Sequence, residues 1–343
     1  MYDFVKMVVT DVVFASKLIE NPLLSFNTLV NEKTGAIKDG IQKAHYKNLD
    51  FIVHPSGRVE IKGSLHKYWN DGLHNWNDFS LNDVRSCILD LQATFSIDPK
   101  KATVHNLEFG INVKTSYNPD AFLNSLITHK KQPFSKMKIR GQGNGREAYY
   151  GQYGIKVYNK GLQYNRPEYI LRFEKKVFKM ECLGWGEVKL QDLLSTSFFN
   201  HCLTELLSSF DELIITDKVN ESALSKPELK LYHICKNPLN WTEMTRAQRH
   251  KNKAKFNQLI TEHGKLQYMN VTRDLLQKKG YILTGISNVK RIHFDSSISR
   301  SIRNYLQSAK FTDFGVGEIN YNGAFSIGDT AAQSAAIRSI LAN

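Results

Sequence analysis

Short apolar runs with a period of two recur through the first 180 residues of this 343-residue chain, and they constrain its fold more than any other feature. The runs are residues 4–9, 49–53, 58–62, 104–113, 154–158 and 169–177. Alternation of this kind predicts half-buried strands, because successive side chains of a strand point to opposite faces. Strict strand–helix alternation, as in a doubly wound parallel sheet, is absent. We therefore predict an α+β fold with a largely antiparallel sheet and helices on one side.

Turn and cap residues place the connections between these runs. Residues 54–57, His-Pro-Ser-Gly, supply turn residues between the second and third runs, which predicts a hairpin. Ser80 and Asp83 form a capping pair ahead of apolar residues with helical spacing. Asn118 and Pro119 give a second helix start. We expect two helices inserted between the strands of the first half.

The strand pattern fades after about residue 190. Helical spacing follows in residues 190–214, 224–234, 241–263 and 271–279, and we expect the last of these helices to end at Gly280. We predict a boundary near residue 186. The expected parts are a first domain of residues 1–185, a mainly helical domain of residues 186–310 and a flexible tail of residues 311–343.

The charge of the chain points to a polyanionic partner. There are 46 Lys+Arg and 33 Asp+Glu, a net charge of +13, which favours nucleic acid or an anionic membrane surface. A hydrophobic content of 41% with 11% aromatic residues is not that of a disordered chain. Apolar runs are interrupted by charge within the about 20 residues that a bilayer span needs. The four scattered cysteines lack a C-x-x-C pair, so we expect buried thiols in a reducing, intracellular compartment.

Most of this excess charge lies in residues 129–179, which hold 13 basic and 3 acidic residues. Nine aromatic residues are interleaved with them, a composition typical of a groove for single-stranded nucleic acid. A solvated basic sheet face with core aromatics is the alternative. The glycine-rich residues 140–146 lack the Gly-Lys-Ser/Thr ending of a P-loop, and we expect a turn there. The predicted DNA contacts are Lys136, Lys138, Arg140 and Arg146, with Arg246, Arg249, Lys251 and Lys253 on the basic helix of residues 241–263.

Two carboxylates stand out by their surroundings. Glu108 interrupts an apolar strand run, and Glu174 follows Arg172 by two residues, on the same strand face. Carboxylates are hard oxygen ligands that suit Mg²⁺ or Mn²⁺. An ordinary Arg–Glu pair on a sheet is the alternative for Glu174. No two of the eleven histidines are separated by a single residue, so no His-x-His metal pair is present.

Tyr158 has the most favourable setting for a tyrosine nucleophile. Alternation places Ile155 and Val157 toward the core and Lys156, Tyr158 and Lys160 on the opposite face. A phenol, with a pKa of about 10, is a poor nucleophile at neutral pH unless cations or a metal stabilise the phenolate. The two lysines offer such an environment. A purely structural tyrosine remains the alternative from composition alone.

Five short segments occur in the order found in a known family. They are residues 59–67 (Val-Glu-Ile-Lys-Gly-Ser-Leu-His-Lys), 72–76 (Gly-Leu-His-Asn-Trp), 107–109 (Leu-Glu-Phe), 157–160 (Val-Tyr-Asn-Lys) and 171–174 (Leu-Arg-Phe-Glu). In this order the chain resembles the gene II/gene X replication initiation proteins of filamentous phages. The last two segments are also similar to those of rolling-circle plasmid initiators. The resemblance covers residues 1–180 and extends loosely over the helical remainder.

This resemblance implies an enzyme that nicks and rejoins single-stranded origin DNA. Tyr158 would attack a phosphodiester, leaving a 5′-phosphotyrosyl link and a free 3′-OH, and Mg²⁺ or Mn²⁺ would bind Glu108 and Glu174. Glu108 stands where the family carries an Asp. Lys156, Lys160 and Arg172 would add positive charge in the transition state. The implied partners are origin DNA, a host polymerase and a host helicase, without a membrane, in the cytoplasm of a bacterial host.

Two other functions compete with this hypothesis. A non-catalytic single-stranded nucleic-acid-binding protein, such as a replication accessory protein or a repressor, would use the same charges and aromatic residues. In that protein Glu108 and Glu174 would be ordinary sheet residues. The absence of closely spaced histidines argues against the third, a conjugative relaxase. Cleavage of single-stranded DNA in the presence of Mg²⁺ or Mn²⁺ separates the first two.

Overall fold

The computed structural model describes residues 1–30, 33–138, 143–285, 317–319 and 325–327. Its strands are β1 (Tyr2–Thr10), β2 (Asn27–Val30), β3 (Ile37–Tyr46), β4 (Leu49–Val53), β5 (Arg58–Ser64), β6 (Thr103–Lys114), β7 (Leu126–His129), β8 (Gln132–Pro133), β9 (Ser135–Lys136), β10 (Gly145–Tyr149), β11 (Tyr153–Asn159), β12 (Ile170–Val177), β13 (Leu213–Ile215), β14 (Gly317–Ile319) and β15 (Phe325–Ile327). Its helices are α1 (Val12–Ile19), α2 (Leu65–Trp69), α3 (Leu81–Phe95), α4 (Pro119–Ser125), α5 (Lys160–Gln163), α6 (Thr196–Asp211), α7 (Lys226–Lys236), α8 (Pro238–Glu243), α9 (Arg246–His263) and α10 (Tyr268–Leu283), with short 3₁₀ helices at Met180–Leu183, Leu190–Leu194 and Glu221–Ala223.

Ten of these strands form one sheet in the order β2-β3-β4-β5-β1-β6-β12-β11-β10-β9. Every neighbouring pair in it is antiparallel, which confirms the predicted fold class. The predicted hairpin joins β4 to β5, with Val53 opposite Val59. Gly57 closes its turn with a φ of +78°, a conformation that L side chains rarely adopt.

The two faces of the sheet differ in chemistry, as the alternation predicted. On one face Ile155, Val157 and Phe173 are buried in a core that they share with residues of α6 and α10. Lys156 and Tyr158 alternate with Ile155 and Val157 along β11, so their side chains point to the other face of the sheet. The sheet therefore supplies an apolar layer for the helices and a polar surface on its far side.

The predicted helix starts of the first half are confirmed. Ser80 caps α3 and forms a reciprocal capping box with Asp83. The Asn118 side chain accepts a hydrogen bond from the backbone N–H of Asp120 at 2.9 Å, and Pro119 is the first residue of α4. These caps satisfy backbone donors that the first turn of a helix leaves without partners.

The helices after residue 190 pack in two places. Side chains of α6 and α10 belong to the same core as β6 and β12. A smaller apolar cluster holds Ile127, Ile214, Trp241, Phe256 and Leu259, from β7, β13, α8 and α9. The division of the chain near residue 186 stays a prediction. The predicted tail lies outside the described residues, apart from β14 and β15.

Several element predictions were wrong. The last helix does not end at Gly280, because α10 continues to Leu283. A Cβ at Gly280 would lie 2.4 Å from Leu203 Cδ1, so this glycine permits close contact between α10 and α6. The helix predicted for residues 190–214 is a 3₁₀ helix followed by α6, and the apolar run Leu213–Ile215 is the strand β13. Strand β3 was missed because, among its described side chains, only Ala44 is buried.

Candidate active site

A cavity of about 490 Å³ opens on the polar face of the sheet. Five of the six residues predicted for catalysis or metal binding line it: Glu108, Lys156, Tyr158, Lys160 and Glu174. The sixth, Arg172, is 2% exposed and binds Glu174 from below the cavity surface. The structure thus brings together all six, although they come from three strands and the first turn of α5.

Strand register explains how these residues meet. Lys156 of β11 lies opposite Glu174 of β12, and Tyr158 lies opposite Arg172. On the other side of β12, Gly110 of β6 lies opposite Glu174. A Cβ at Gly110 would lie 2.6 Å from the Phe173 carbonyl oxygen and 2.9 Å from Glu174 Cβ, so the glycine leaves room for the glutamate.

The two carboxylates share one ammonium group. Lys156 Nζ lies 3.1 Å from Glu108 Oε2 and 3.1 Å from Glu174 Oε1. Lys176 Nζ also pairs with Glu108, at 2.5 Å. Burial raises the pKa of Glu108, and the charge of Glu174 adds to the shift. Burial also opposes ionisation of Glu174. The positive charges of Lys156 and Arg172 outweigh this effect and hold the pKa of Glu174 well below its usual range.

Arg172 fixes the lower layer of the site. Its guanidinium donates to Glu174 Oε2 at 2.6 Å, to Asn112 Oδ1 at 3.0 Å and to Asp3 Oδ2 at 3.0 Å. Asp3 in turn accepts a hydrogen bond from Asn75 Nδ2 at 2.6 Å. Sequence reasoning missed Asp3. The available signal was a carboxylate inside the otherwise apolar start of β1.

Tyr158 is 5% exposed, and its hydroxyl donates to Glu174 Oε2 at 3.2 Å. Burial, followed by the charge of Glu174, raises the pKa of Tyr158 well above its usual value. The expected stabilisation of a phenolate by two flanking lysines is therefore not what the contacts provide. Lys156 is held by carboxylates, and Lys160 Nζ lies 5.2 Å from the centre of the Tyr158 ring. Glu174 orients the hydroxyl.

Lys160 and a second tyrosine meet at Asn75. Lys160 Nζ donates to Asn75 Oδ1 at 2.6 Å, and the Tyr164 hydroxyl donates to the same oxygen at 2.8 Å. Burial, then the charge of Arg172, lowers the pKa of Lys160 to about 7. Neither Tyr164 nor Asn75 was predicted as a site residue. Asn75 belongs to the second segment of the family resemblance, and nothing in the sequence distinguished Tyr164.

The donor set of Glu108 and Glu174 fits a hard divalent cation in ligand type. These carboxylates already bind one positive charge, the Lys156 ammonium. A Mg²⁺ or Mn²⁺ ion held by them would replace this ammonium. Among the described residues, three possible ligand atoms come within 4.8 Å of one another only at Glu228, Glu262 and His263, outside the cavity. The role of Glu108 and Glu174 as metal ligands stays a prediction.

Lys136, Lys138 and Arg146, predicted to bind DNA through the basic segment (residues 129–179), do not line this cavity. Lys136 and Lys138 are exposed at and just after β9. Arg146 lies opposite Val157, on the far face of the sheet, and donates to Asn144 Oδ1 at 2.9 Å. Arg140 lies outside the described residues. Their contact with DNA stays a prediction.

The predicted basic residues of α9 do not line the cavity either. Arg246 and Lys251 are exposed, whereas Arg249 donates to the Met244 carbonyl and Lys253 Nζ lies 2.8 Å from Glu212 Oε2. The buried side chains of this helix lie in its second half. Two lysines that were not predicted, Lys62 and Lys67, line the cavity instead.

No protein-family model matches the chain, and no curated protein matches it. A solved structure of the rolling circle replication initiator protein from Geobacillus stearothermophilus is similar to it, with 10% sequence identity and a TM-score of 0.38. The matched region covers 81% of this chain and 96% of that one. At this identity and TM-score the likeness assigns no residue a role. No helix among the described residues is long and apolar enough to cross a membrane.

Proposed function

We propose that this chain is a rolling-circle replication initiator that nicks and rejoins single-stranded origin DNA through a 5′-phosphotyrosyl intermediate on Tyr158. One observation carries the proposal. Tyr158, two carboxylates and several cations, predicted from separate segments of the sequence, meet at one open cavity. A phosphodiester transfer enzyme needs this combination of an oriented hydroxyl and positive charge around the phosphate.

The lysines of the cavity attract the DNA phosphate. Lys62, Lys67 and Lys160 line it, as does Lys156. Arg172 lies beneath them and is already committed to Glu174, Asp3 and Asn112, so its part is to hold Glu174 ionised and in place. Glu174 then accepts the hydrogen bond that points the Tyr158 hydroxyl.

Nicking exchanges one phosphorus–oxygen bond for another. Tyr158 Oη forms a bond to phosphorus and loses its proton, while the bond from phosphorus to the 3′-oxygen breaks and that oxygen takes up a proton. The step therefore neither gains nor loses protons or electrons overall. The phosphotyrosyl link conserves the bond energy of the phosphodiester. Attack by a 3′-OH on that link reverses the step and rejoins the strand.

Mg²⁺ or Mn²⁺ held by Glu108 and Glu174 would polarise the phosphate oxygens. The chain's own contribution is the pair of carboxylates and a lysine that balances their charge while no metal is bound. Burial raises the pKa of Glu108, so the charge of Lys156 or of a metal is needed to keep this carboxylate ionised.

The remaining parts of the proposal concern partners. The expected DNA contacts are Lys136, Lys138, Arg140 and Arg146 on the basic segment and Arg246, Arg249, Lys251 and Lys253 on α9. A host polymerase would extend the 3′-OH, and a host helicase would open the duplex. A non-catalytic nucleic-acid-binding protein is the second candidate, and the observation that favours it is the 5% exposure of Tyr158.

End analysis of cleaved DNA tests the proposal. The protein is incubated with Mn²⁺ and single-stranded oligonucleotides that tile the replicon encoding it. We expect one major cut, with a 3′ end that a polymerase extends and a 5′ end blocked by protein. Binding without cleavage would favour the non-catalytic candidate. Cleavage that leaves both ends free would exclude a phosphotyrosyl intermediate.

A further inference from the structure

Three aromatic rings and one lysine follow one another beside the cavity. Phe4 of β1 lines the cavity, Phe178 comes directly after β12, and Tyr149 is the last residue of β10. The ring centres of Tyr149 and Phe178 are 5.9 Å apart. The Lys176 ammonium connects Phe178 to Phe4, because it lies 5.8 Å and 5.3 Å from the two ring centres. We call these four residues the aromatic row.

Strand register places the aromatic row on the face of the sheet that bears the cavity. Tyr149 and Lys176 both lie opposite Gly154 of β11. Residues directly opposite each other in an antiparallel pair share a face. Gly154 is four residues before Tyr158 on the same strand, so its face is also that of Tyr158. At about 3.3 Å per residue the row lies about 13 Å from Tyr158 along the strand.

Gly154 leaves the space that the Tyr149 ring occupies. A Cβ at Gly154 would lie 2.4 Å from Tyr149 Cδ1 and 2.6 Å from its Cε1, so the ring lies against the sheet at the point where a side chain is missing. The Tyr149 hydroxyl donates to Glu147 Oε2 at 2.8 Å, which holds the ring there. Tyr149 is nevertheless 43% exposed, and Phe178 and Phe4 are half-buried. The row is therefore an ordered aromatic surface in contact with solvent.

Other aromatic residues of the basic segment have different surroundings. Phe173 is buried in the core of the sheet. The Tyr150 hydroxyl bonds to His129, and the Tyr153 ring stacks on Tyr150 with 4.7 Å between the ring centres. The structure thus separates Tyr149 and Phe178 from aromatic residues that serve packing.

We propose that the aromatic row stacks unpaired bases of single-stranded DNA next to the cleaved phosphate. The inference rests on the proposed function. Bases stack on aromatic rings with little regard to sequence, and positive charge beside the rings attracts the phosphates. Lys176 supplies such charge within the row, and Lys62 and Lys67 supply it in the adjoining cavity. The row is complementary to an unpaired strand rather than to a duplex, whose base faces are covered by their neighbours.

Binding of single-stranded DNA without metal tests the inference. The Kd for the tiled oligonucleotides is measured by fluorescence anisotropy in EDTA, so that cleavage does not interfere. We expect Tyr149→Ala and Phe178→Ala each to raise the Kd at least about fivefold, because each removes a stacking surface. Tyr149→Phe keeps the ring and should bind as the unaltered protein does. Tyr169→Ala is the matched control, since Tyr169 is 49% exposed and does not line the cavity.

Abasic nucleotides separate stacking from a change in the fold. Each nucleotide of the tightest-binding oligonucleotide is replaced in turn by an abasic one. We expect some of these replacements to weaken binding to the unaltered protein and to have no further effect on Tyr149→Ala, because the ring and the base then form one interaction. Equal losses in both proteins at every position would overturn the inference.

Gly154→Ala tests the position of the Tyr149 ring. The added methyl group displaces the ring, so we expect the Kd to rise as in Tyr149→Ala, with no further rise in the double variant. Gly151→Ala, where a Cβ meets nothing within 4 Å, is the control. An unchanged Kd in Gly154→Ala would contradict this role of the ring.

The outcomes separate this inference from the proposed function. A Tyr158 adduct in the unaltered protein, with an unchanged Kd in Tyr149→Ala and Phe178→Ala, would overturn the inference and leave the proposed function standing. Binding that depends on both rings, without cleavage in Mn²⁺, would support base stacking and count against nicking. Absence of binding to any single-stranded oligonucleotide would overturn both.

Discussion

Two lysines of the site hold different charges because their partners differ. Lys156 sits opposite Glu174 in the strand register and also pairs with Glu108, so its pKa is raised even though burial opposes the ammonium. Lys160 begins α5, beyond the end of the strand, where the oxygen that it reaches is an amide. Sequence alternation predicted that both would face the site. It did not predict their partners, because Glu108, Glu174 and Asn75 lie on other elements of the chain.

Removing the Lys156 ammonium should strengthen metal binding. Lys156→Met leaves two buried carboxylates without their shared cation, so Mn²⁺ no longer competes with the lysine. We expect the Kd for Mn²⁺ without DNA to fall at least about tenfold, about 1.4 kcal/mol, as measured by titration calorimetry. Lys67→Met, a lysine of the same cavity without these contacts, is the control. Equal or weaker Mn²⁺ binding in Lys156→Met would show that metal does not bind between Glu108 and Glu174.

Burial of Lys160 should also make stability depend on pH. Its pKa is lowered from 10.5 to about 7, mainly by burial. Between these values the unfolded chain binds more protons than the folded one, so the free energy of unfolding rises with pH through that window. We expect the urea midpoint of the unaltered protein to rise from pH 7 to pH 9.5 relative to Lys160→Met, and Lys67→Met to keep this rise. Parallel pH curves for Lys160→Met and the unaltered protein would contradict a neutral amine.

At the scale of elements, the site depends on how closely β6 and β12 approach. Gly110 allows Glu174 to lie against β6, where Glu108 is two residues away on the same face. The alternation of apolar and polar residues predicted these strands and their faces. It did not predict their order in the sheet, because pairing depends on contacts between residues far apart in sequence. It missed β3, in which Ala44 is the one buried residue among the described side chains.

A methyl group at Gly110 should separate these strands. Its nearest neighbours would be backbone atoms of Phe173 and Glu174, at 2.6 Å and 2.9 Å, which have no rotamer to change. We expect Gly110→Ala to lower the free energy of unfolding by about 1–3 kcal/mol, as overpacking does, and to weaken Mn²⁺ binding. Gly151→Ala, where a Cβ meets nothing within 4 Å, is the control and should change stability by less than about 0.5 kcal/mol. Equal urea curves for both variants would rule out this role of Gly110.

Over the whole molecule, one antiparallel sheet separates an apolar layer of helices from a polar face that bears the cavity. The net charge of +13 suggested a polyanion but gave no location for it. The basic segment that carries most of this charge has side chains on both faces of the sheet, since Lys156 faces the cavity and Arg146 faces away. Charge along the sequence therefore indicates a polyanionic partner, and strand register decides which of the basic residues reach the site.

The most direct test of the account is the site of covalent attachment in the unaltered protein. After incubation with Mn²⁺ and single-stranded DNA of its own replicon, the protein is digested with trypsin and its DNA-bound peptides are sequenced by mass spectrometry. We expect a 5′-phosphotyrosyl adduct within residues 157–160, on Tyr158, and its loss in Tyr158→Phe. Cleaved DNA without a protein adduct, or an adduct on a residue outside the cavity, would contradict it.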